Sequence, residues 1–485
     1  MVFINFILNR NTQNMIGYGD KNDLLYSIPE DMKWFKKITT SSPNSVVIMG
    51  YNTWKSIPKK PLPLRKNVII TKHHYTETME SISSEDKETL VADSYETAIR
   101  MIEADDISYE NIYVIGGEQL YNYILDHHLE TLRCIYETKV SHLLWDTFTY
   151  TFKFCNIPIS EEYVLWNHFS KHCKGKCNLQ EYSELQEFMC DFNIFVKQQD
   201  INTNEKQYID LLKKICEQGN VKSSRNSDVT SIFGEKMVFD LRKGFPLLTT
   251  KKMGWKTILR ELLWFISGST NNKELQEKNV HIWDQNASAE FLESRGLFYE
   301  EGDLGPVYGF QWRHFGASYE GVQKDYKSLG IDQLQNVIDL IKNDPASRRI
   351  IMSAWNPCDL DKMALPPCHV MVQFNIEGEY IDAQLYQRSG DMFLGVPYNI
   401  ASYSFLLHII GTITGYVPRF LHHVLGDAHI YNSHLEVVNE QVNRVPLKSP
   451  KLSIQAIDSL DDIHESKFMI TDYQSYNALK ADMIA

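Results

Sequence analysis

The sequence predicts two domains, an α/β domain with a mostly parallel central sheet and flanking helices, followed by an α+β domain. Three observations carry this. The chain has 485 residues, 43% of them hydrophobic, which is too long for one ordinary core and apolar enough to fill two. Up to about Asp200, short β-branched runs alternate with short helical patterns, the rhythm of strands joined by crossover helices. From Tyr208 the texture changes: Tyr208, Leu211, Leu212 and Ile215 mark one face of a helix, and longer helices with intervening strands follow.

Taken in order, Val2 to Leu8 is apolar apart from Asn5 and is followed by Asn9 and Arg10. It is too short to span a membrane and reads as a buried strand. No basic leader precedes it, and the eight cysteines are scattered, so a reducing, cytoplasmic setting is expected rather than a secreted disulfide framework. Ile28-Pro29-Glu30-Asp31 opens a helix, with proline in its first turn. Ser45 to Met49 is a strand leading to a helix at Thr53, Asn67 to Thr71 is another, and Ile112 to Ile115 precedes a helix at Gln119. His168, His172, Cys173 and Cys177 are metal-ligand types, but no second pair stands at zinc-finger spacing. They read as a surface hairpin before the strand Cys190 to Val196, and no metal is expected. The polar run Asp200 to Gln207 lacks apolar periodicity, which sets the domains at 1–199 and 208–485 with a short junction at 200–207. Ala401 to Val417 is apolar but carries Ser402, Ser404, His408, Gly411 and two threonines, so it predicts a packed core helix and no membrane. A net charge of −13 makes nucleic acid an unlikely partner, because neutralising phosphates needs a surplus of Lys and Arg.

The strongest chemical signal is Ala364-Leu-Pro-Pro-Cys368-His369, read with Tyr386-Gln387-Arg388-Ser389-Gly390-Asp391. A cysteine attacks as its thiolate, and a nearby cation such as Arg388 favours that form. Alone, a cysteine after two prolines is more often a buried structural thiol. These fragments sit within a longer series: Gly244 to Lys251, Arg260-Glu261-Leu-Leu-Trp-Phe, Asp303 to Gly309, Ser347-Arg348-Arg349, Asn399-Ile-Ala-Ser and Gly426-Asp-Ala-His429-Ile-Tyr431. Together they resemble thymidylate synthase from about Tyr208 to Ala485.

The resemblance implies that Cys368 adds to carbon six of the uracil ring of dUMP and that methylenetetrahydrofolate supplies the carbon and a hydride, leaving as dihydrofolate. It places Arg225, Arg388 and Ser389 on the nucleotide phosphate, a demand that planar guanidinium groups meet with paired hydrogen bonds. It adds His369, Gln387 and Asp391 to the dUMP set, with Asp391 also facing folate. Arg348 and Arg349 are implied to reach the phosphate site of a neighbouring subunit, hence a symmetric homodimer through this domain. Asn399 suits the N–H and carbonyl edge of uracil, whereas an aspartate there would suit cytosine and a hydroxymethylase. His429 and Tyr431 alternate on a strand, share a face and are implied to hold the sugar hydroxyl. Glu261 reads either as a first-turn charge favoured by the helix dipole or, among Leu262, Leu263, Trp264 and Phe265, as a desolvated acid managing protons; the resemblance selects the second.

Signals in the first half are individually weaker. Asp31 and Phe35 share a helix face, and a carboxylate there is usually only a dipole partner. Two strand-to-helix turns, at Gly50 to Thr53 and at Gly116-Gly117, place glycines and free amides where a diphosphate could dock. With Pro61-Leu-Pro-Leu-Arg65 and Asp146-Thr-Phe added, residues 1 to 199 resemble dihydrofolate reductase. That implies Asp31 as the sole ionisable group at the pterin, backed by Thr138, with Phe35 against the folate and Arg65 on its glutamate carboxylate. NADPH is implied along Gly19, Thr53, Thr71, Lys72, Gly116, Gly117, Gln119, Leu120 and Tyr121. Leu24-Leu25-Tyr26 departs from the family's Leu-Pro-Trp, and Tyr51 stands where a basic residue is common, a charge that Lys72 with His73 could replace. The expected function is therefore bifunctional, one half releasing the dihydrofolate that the other consumes. An inactive reductase-like scaffold fused to a working synthase is the alternative, and retained Asp31, Arg65 and Thr138 oppose it.

Overall fold

Strand β1 (Ile4–Asn11) is buried along nearly its whole length, as a central strand covered on both faces must be. The computed structural model describes residues 2–18, 23–82, 86, 88–105, 107, 109, 111–142, 152–155, 157, 162–179, 184–223 and 227–484. They fall into two units, Met1–Ile201 and Asn202–Ala485. In the first, β1 is followed by β2 (Met15–Tyr18), β3 (Asp23–Leu24), β4 (Tyr26–Ser27), α1 (Pro29–Thr39), β5 (Ser45–Gly50), α2 (Tyr51–Ser56), β6 (Lys66–Ile70), α3 (Tyr75–Ser81), β7 (Thr89–Ala92), α4 (Tyr95–Glu103), β8 (Asn111–Val114), α5 (Glu118–His127), β9 (Leu132–Val140), β10 (Phe152–Phe154), β11 (Tyr163–Cys177) and β12 (Leu185–Lys197). The main sheet runs β4-β11-β12-β9-β1-β8-β5-β6-β7. From β9 to β7 every pairing is parallel, and β12, β11 and β4 extend it antiparallel.

The histidines and cysteines of β11 do not converge. On one strand, residues 168 and 172 face one side and residues 173 and 177 the other, and accordingly His172 is exposed while Cys173 and Cys177 are buried. The expected surface hairpin is thus a long ribbon completing the sheet. No group of three or more candidate metal ligands occurs among the described residues.

The second unit contains α6 (Thr203–Gln218), β13 (Asn220–Ser223), β14 (Asp228–Asp240), α7 (Trp255–Ser267), α8 (Lys273–Gln276), α9 (Ala289–Ser294), α10 (Tyr308–His314), α11 (Gln333–Asn343), β15 (Ile351–Ser353), β16 (His369–Glu377), β17 (Tyr380–Asp391), α12 (Gly395–Thr414), β18 (Val417–Tyr431), α13 (Leu435–Gln441), β19 (Lys451–Ile454) and β20 (Phe468–Thr471). Most of the polar run expected as a junction is helix. The Asn202 side chain accepts from the Glu205 amide and starts α6 five residues before Tyr208. The buried Glu205 carboxylate then gathers the amides and hydroxyls of Thr249 and Thr250.

The sheet order is β13-β14-β18-β17-β16-β15. Across it lies α12, buried almost all round, which is why its sequence shows no single apolar stripe. At Gly411 a Cβ would come within 2.7 Å of the Tyr416 carbonyl, so close packing at the helix end demands glycine. Among the described residues no helix is long and apolar enough to cross a membrane.

Candidate active sites

In the second unit the parallel pairing of β17 with β18 sets Ser389 beside Asp427 and Asp391 beside His429. Cys368 immediately precedes β16, whose neighbour is β17. Its amide donates to the Tyr308 hydroxyl at 2.7 Å, and its carbonyl accepts from the Arg388 amide at 2.9 Å. The Arg388 guanidinium donates to the carbonyls of Pro366 and Pro367, both at 2.9 Å, lies over Trp355, and brings Nη2 to 4.0 Å from the Cys368 sulfur. Two prolines offer carbonyls but no amide donors, and this converts an unremarkable Pro-Pro-Cys run into a seat for the cation. Cys368 is half-buried. Burial raises its thiol pKa, and Arg388 offsets this only in part. Arg388 thus acts on the thiol in the direction the sequence suggests, and desolvation of the thiolate outweighs this one cation.

His369 is buried, stacked on Tyr308 at 4.0 Å, and shares a 2.8 Å hydrogen bond with the Tyr403 hydroxyl. Burial lowers its pKa to about 3, so it stays neutral. Gln387 is held within the protein: its amide donates to the Ser389 carbonyl and its oxygen meets His423 Nε2 at 2.8 Å. One Asp391 oxygen holds the amides of Phe393 and Leu394 at the entry to α12. Asn399, in the early turns of α12, is half-buried, and its side chain meets no partner among the described residues. His429 and Tyr431 share a face of β18, their rings 5.3 Å apart, with His429 Nδ1 3.1 Å from Asp427.

Glu261 is not a first-turn residue. Helix α7 begins at Trp255, so the carboxylate lies well inside the helix, beyond reach of the N-terminal dipole. It is 7% exposed, accepts from Trp283 Nε1 at 2.8 Å, and burial pushes its pKa up to about 7. Arg348 and Arg349 sit apart, exposed in the turn after α11, with no carboxylate partner among the described residues. Arg225 lies outside the described residues, as do Gly19 and Asp146.

Two cavities of the first unit, among its described residues, gather the residues named from the sequence. One, of about 510 Å³, is lined by Asp31, Phe35, Thr53, Gly116, Gly117 and Tyr121 among others. Asp31 accepts from Thr138 at 2.5 Å and Asn9 at 3.0 Å, but burial dominates and raises its pKa. Lys59, Glu118 and Lys153 also line this cavity, so Asp31 is not its sole ionisable group. Glu118 and Lys153 lie 3.7 Å apart and answer one another. Arg65 is buried against Thr39 and over Phe35, with no carboxylate beside it among the described residues, and burial lowers its pKa. Tyr26 points away into the core, 3.2 Å from His142 and edge-on to Phe188.

The second cavity, of about 520 Å³, is lined by Thr53, Thr71, Lys72, Gly117, Gln119 and Leu120 with the His73-His74 pair. Gly116 has φ +130°, and a Cβ there would meet the Thr53 hydroxyl at 3.2 Å, so the backbone approaches without a side chain. Tyr121 departs from this group: its hydroxyl donates to the Ile7 carbonyl at 2.7 Å, and it belongs to the first cavity. Sequence reasoning missed Tyr308, Tyr403, His423, Asn9 and His74. Only Tyr308 lay in a quoted motif; Tyr403, His423 and Asn9 meet partners far away in the chain, and His74 joins nearby Glu77 to the distant Tyr51.

A family model for thymidylate synthase matches residues 206–485, and one for dihydrofolate reductase matches residues 3–157. The chain is similar to the bifunctional dihydrofolate reductase-thymidylate synthase of Zea mays, 41% identical over 96% of this chain and 94% of that one. It is similar to those of Paramecium tetraurelia, at 40% over 96% of each, and Leishmania major, at 37% over 96% and 92%.

Proposed function

The chain belongs to the bifunctional dihydrofolate reductase-thymidylate synthase family and carries both activities, and on that premise we propose how its residues divide the work. Synthase chemistry falls to residues 208–485 and reductase chemistry to 1–199.

Cys368 is the nucleophile that adds to carbon six of the dUMP ring. Arg388 favours its thiolate, and Arg388, Ser389 and Arg225 take the phosphate of the nucleotide. Asn399 reads the uracil edge, with Gln387 and His369 holding the walls, and His429 and Tyr431 take the sugar. Asp391 faces the folate. Glu261, titrating near neutrality, passes protons during transfer of the methylene carbon. Arg348 and Arg349, exposed and with no carboxylate partner among the described residues, complete the phosphate site of a partner in a homodimer.

In the reductase half, Asp31 grips the pterin and shares its proton with it, Phe35 packs on the folate, and Arg65 takes the glutamate carboxylate. The side-chain-free approach at Gly116-Gly117 fits a diphosphate, and Thr53, Thr71, Lys72, Gln119 and Leu120 would hold the rest of NADPH. When bound, that cofactor supplies the hydride. A reducing, cytoplasmic setting is the reading that eight unpaired cysteines support. The observation that carries this reading is Cys368 beside Arg388 at the mouth of β16 and β17. Purified protein given dUMP and methylenetetrahydrofolate is expected to raise the dihydrofolate absorbance, and NADPH added afterwards to remove it. A signal that forms and then persists would restore the scaffold alternative.

A further inference from the structure

The second cavity is bordered by a charged cluster that neither the family's usual basic residue nor the Lys72-His73 pair accounts for. Tyr51, at the start of α2, stacks flat on His74 with ring centroids 4.1 Å apart and 5° between planes. The Tyr51 hydroxyl donates to one Glu77 oxygen at 2.8 Å, and the other oxygen lies 3.0 Å from His74 Nδ1. Glu77 therefore fixes both rings, and its own pKa is lowered by these hydrogen bonds, the one from Tyr51 first. His74 is held by one nitrogen and one face, while its Nε2 meets no partner among the described residues. The cavity it lines also contains Lys72 and His73. Resting on the reading that NADPH lies along this cavity, we propose that His74, clamped by Tyr51 and Glu77, is the residue that distinguishes NADPH from NADH, donating from Nε2 to the 2′-phosphate when protonated.

The stack explains the tyrosine. A flexible basic side chain at position 51 would provide charge itself; Tyr51 instead provides a rigid plate that orients an imidazole carried on the next strand-to-helix loop. With Nδ1 donating to Glu77, a neutral His74 presents only a lone pair at Nε2, which a phosphate repels. Protonation turns that atom into a donor. Selectivity for the phosphorylated cofactor should then rise as pH falls. The surrounding charges are mixed: Lys55 from α2 lies 3.8 Å from Glu77, Lys72 and His73 line the cavity from the loop before α3, and Asp93 and Glu96 line it from the segment at the start of α4. The 2′-phosphate itself loses charge below about pH 6, which works in the opposite direction. A comparison with a variant lacking the imidazole removes that contribution.

The test is equilibrium binding of NADP⁺ and of NAD⁺ to the full chain by calorimetry between pH 5.5 and 8.5, in buffers of different ionisation enthalpy. The wild type should bind NADP⁺ with net proton uptake beyond that of NAD⁺. H74A should lose about threefold to tenfold in NADP⁺ affinity at pH 6, the scale of a charge-assisted contact at an exposed site, with NAD⁺ affinity unchanged. H74K should restore NADP⁺ affinity and abolish the histidine's share of the pH dependence. Equal losses for both dinucleotides in H74A, or an unchanged NADP⁺/NAD⁺ ratio and proton uptake, would overturn the assignment of His74 while leaving the cavity a cofactor site. Binding of neither dinucleotide by the wild type would overturn the cofactor reading and this inference with it.

Discussion

Replacing Glu261 with glutamine tests the proposed proton-handling role against a purely architectural one. The carboxyl is buried in α7 and titrates near 7 rather than at the 4.5 of an exposed glutamate. Below pH 4.5 the folded and unfolded chains both hold the proton, and the residue costs little. Between about 4.5 and 7 the unfolded chain has released it while the folded chain still holds it, so stability falls as pH rises through that window. Above 7 the folded state bears a buried anion with one Trp283 hydrogen bond, at a cost of about 3 kcal/mol. Glutamine fills the same volume, keeps an oxygen for Trp283 and has no charge to bury. Glu261→Gln should therefore gain stability relative to wild type by about 3 kcal/mol between pH 4.5 and 8, read from urea midpoints of the transition that dUMP shifts. Its synthase kcat should fall roughly 10²-fold to 10³-fold, the range of general acid-base assistance, with reductase turnover unchanged. A variant whose stability difference from wild type is the same at pH 5 and pH 8, or whose synthase turnover survives, would refute the reasoning.

Other outcomes follow from the same geometry. Thr138→Val removes a hydrogen bond that lowers the Asp31 pKa, so the pH profile of reductase kcat/KM should move to higher pH while the synthase profile stays fixed. Arg65→Ala should raise the KM for dihydrofolate at least tenfold, the scale of a lost charge-assisted pair, with little change in kcat. Tyr308→Phe leaves the Cys368 amide without its acceptor; a cost of about 1 to 3 kcal/mol to that loop should appear as lower synthase kcat and faster proteolysis after β15. Arg388→Lys cannot reach both proline carbonyls, and iodoacetamide labelling of Cys368 at pH 8 should slow.

Local composition told much of the fold but little of its chemical detail. Helix α12 was legible because serines and a glycine interrupt a run too polar for lipid, and β1 because its buried first half, Ile4 to Leu8, is apolar but for Asn5. The starts of α6 and α7 were not. Their first turns, Thr203 to Gln207 and Trp255 to Thr257, lack the apolar spacing that marks later turns, so the start of α6 read as a junction and Glu261 was placed at the start of its helix. The synthase residues were named from motifs, yet what holds them was hidden. His423 reaches Gln387 only through the β17-β18 pairing, and the proline carbonyls that seat Arg388 become meaningful only when the chain folds back. Strand parity, visible once β11 was known to be one strand, separates the histidines from the cysteines that had looked like metal ligands. His74 escaped notice because its orienting partners, Tyr51 and Glu77, come from different helices.

The division of two reactions between two chemical centres is tested most directly by Cys368→Ala and Asp31→Asn in the full chain, each assayed alone and then mixed, with dUMP, methylenetetrahydrofolate and NADPH supplied. Asp31→Asn alone should make thymidylate and accumulate dihydrofolate, and Cys368→Ala alone should make none yet reduce dihydrofolate added to it. The mixture should carry dUMP through to tetrahydrofolate. Loss of both steps in either single variant would contradict the account.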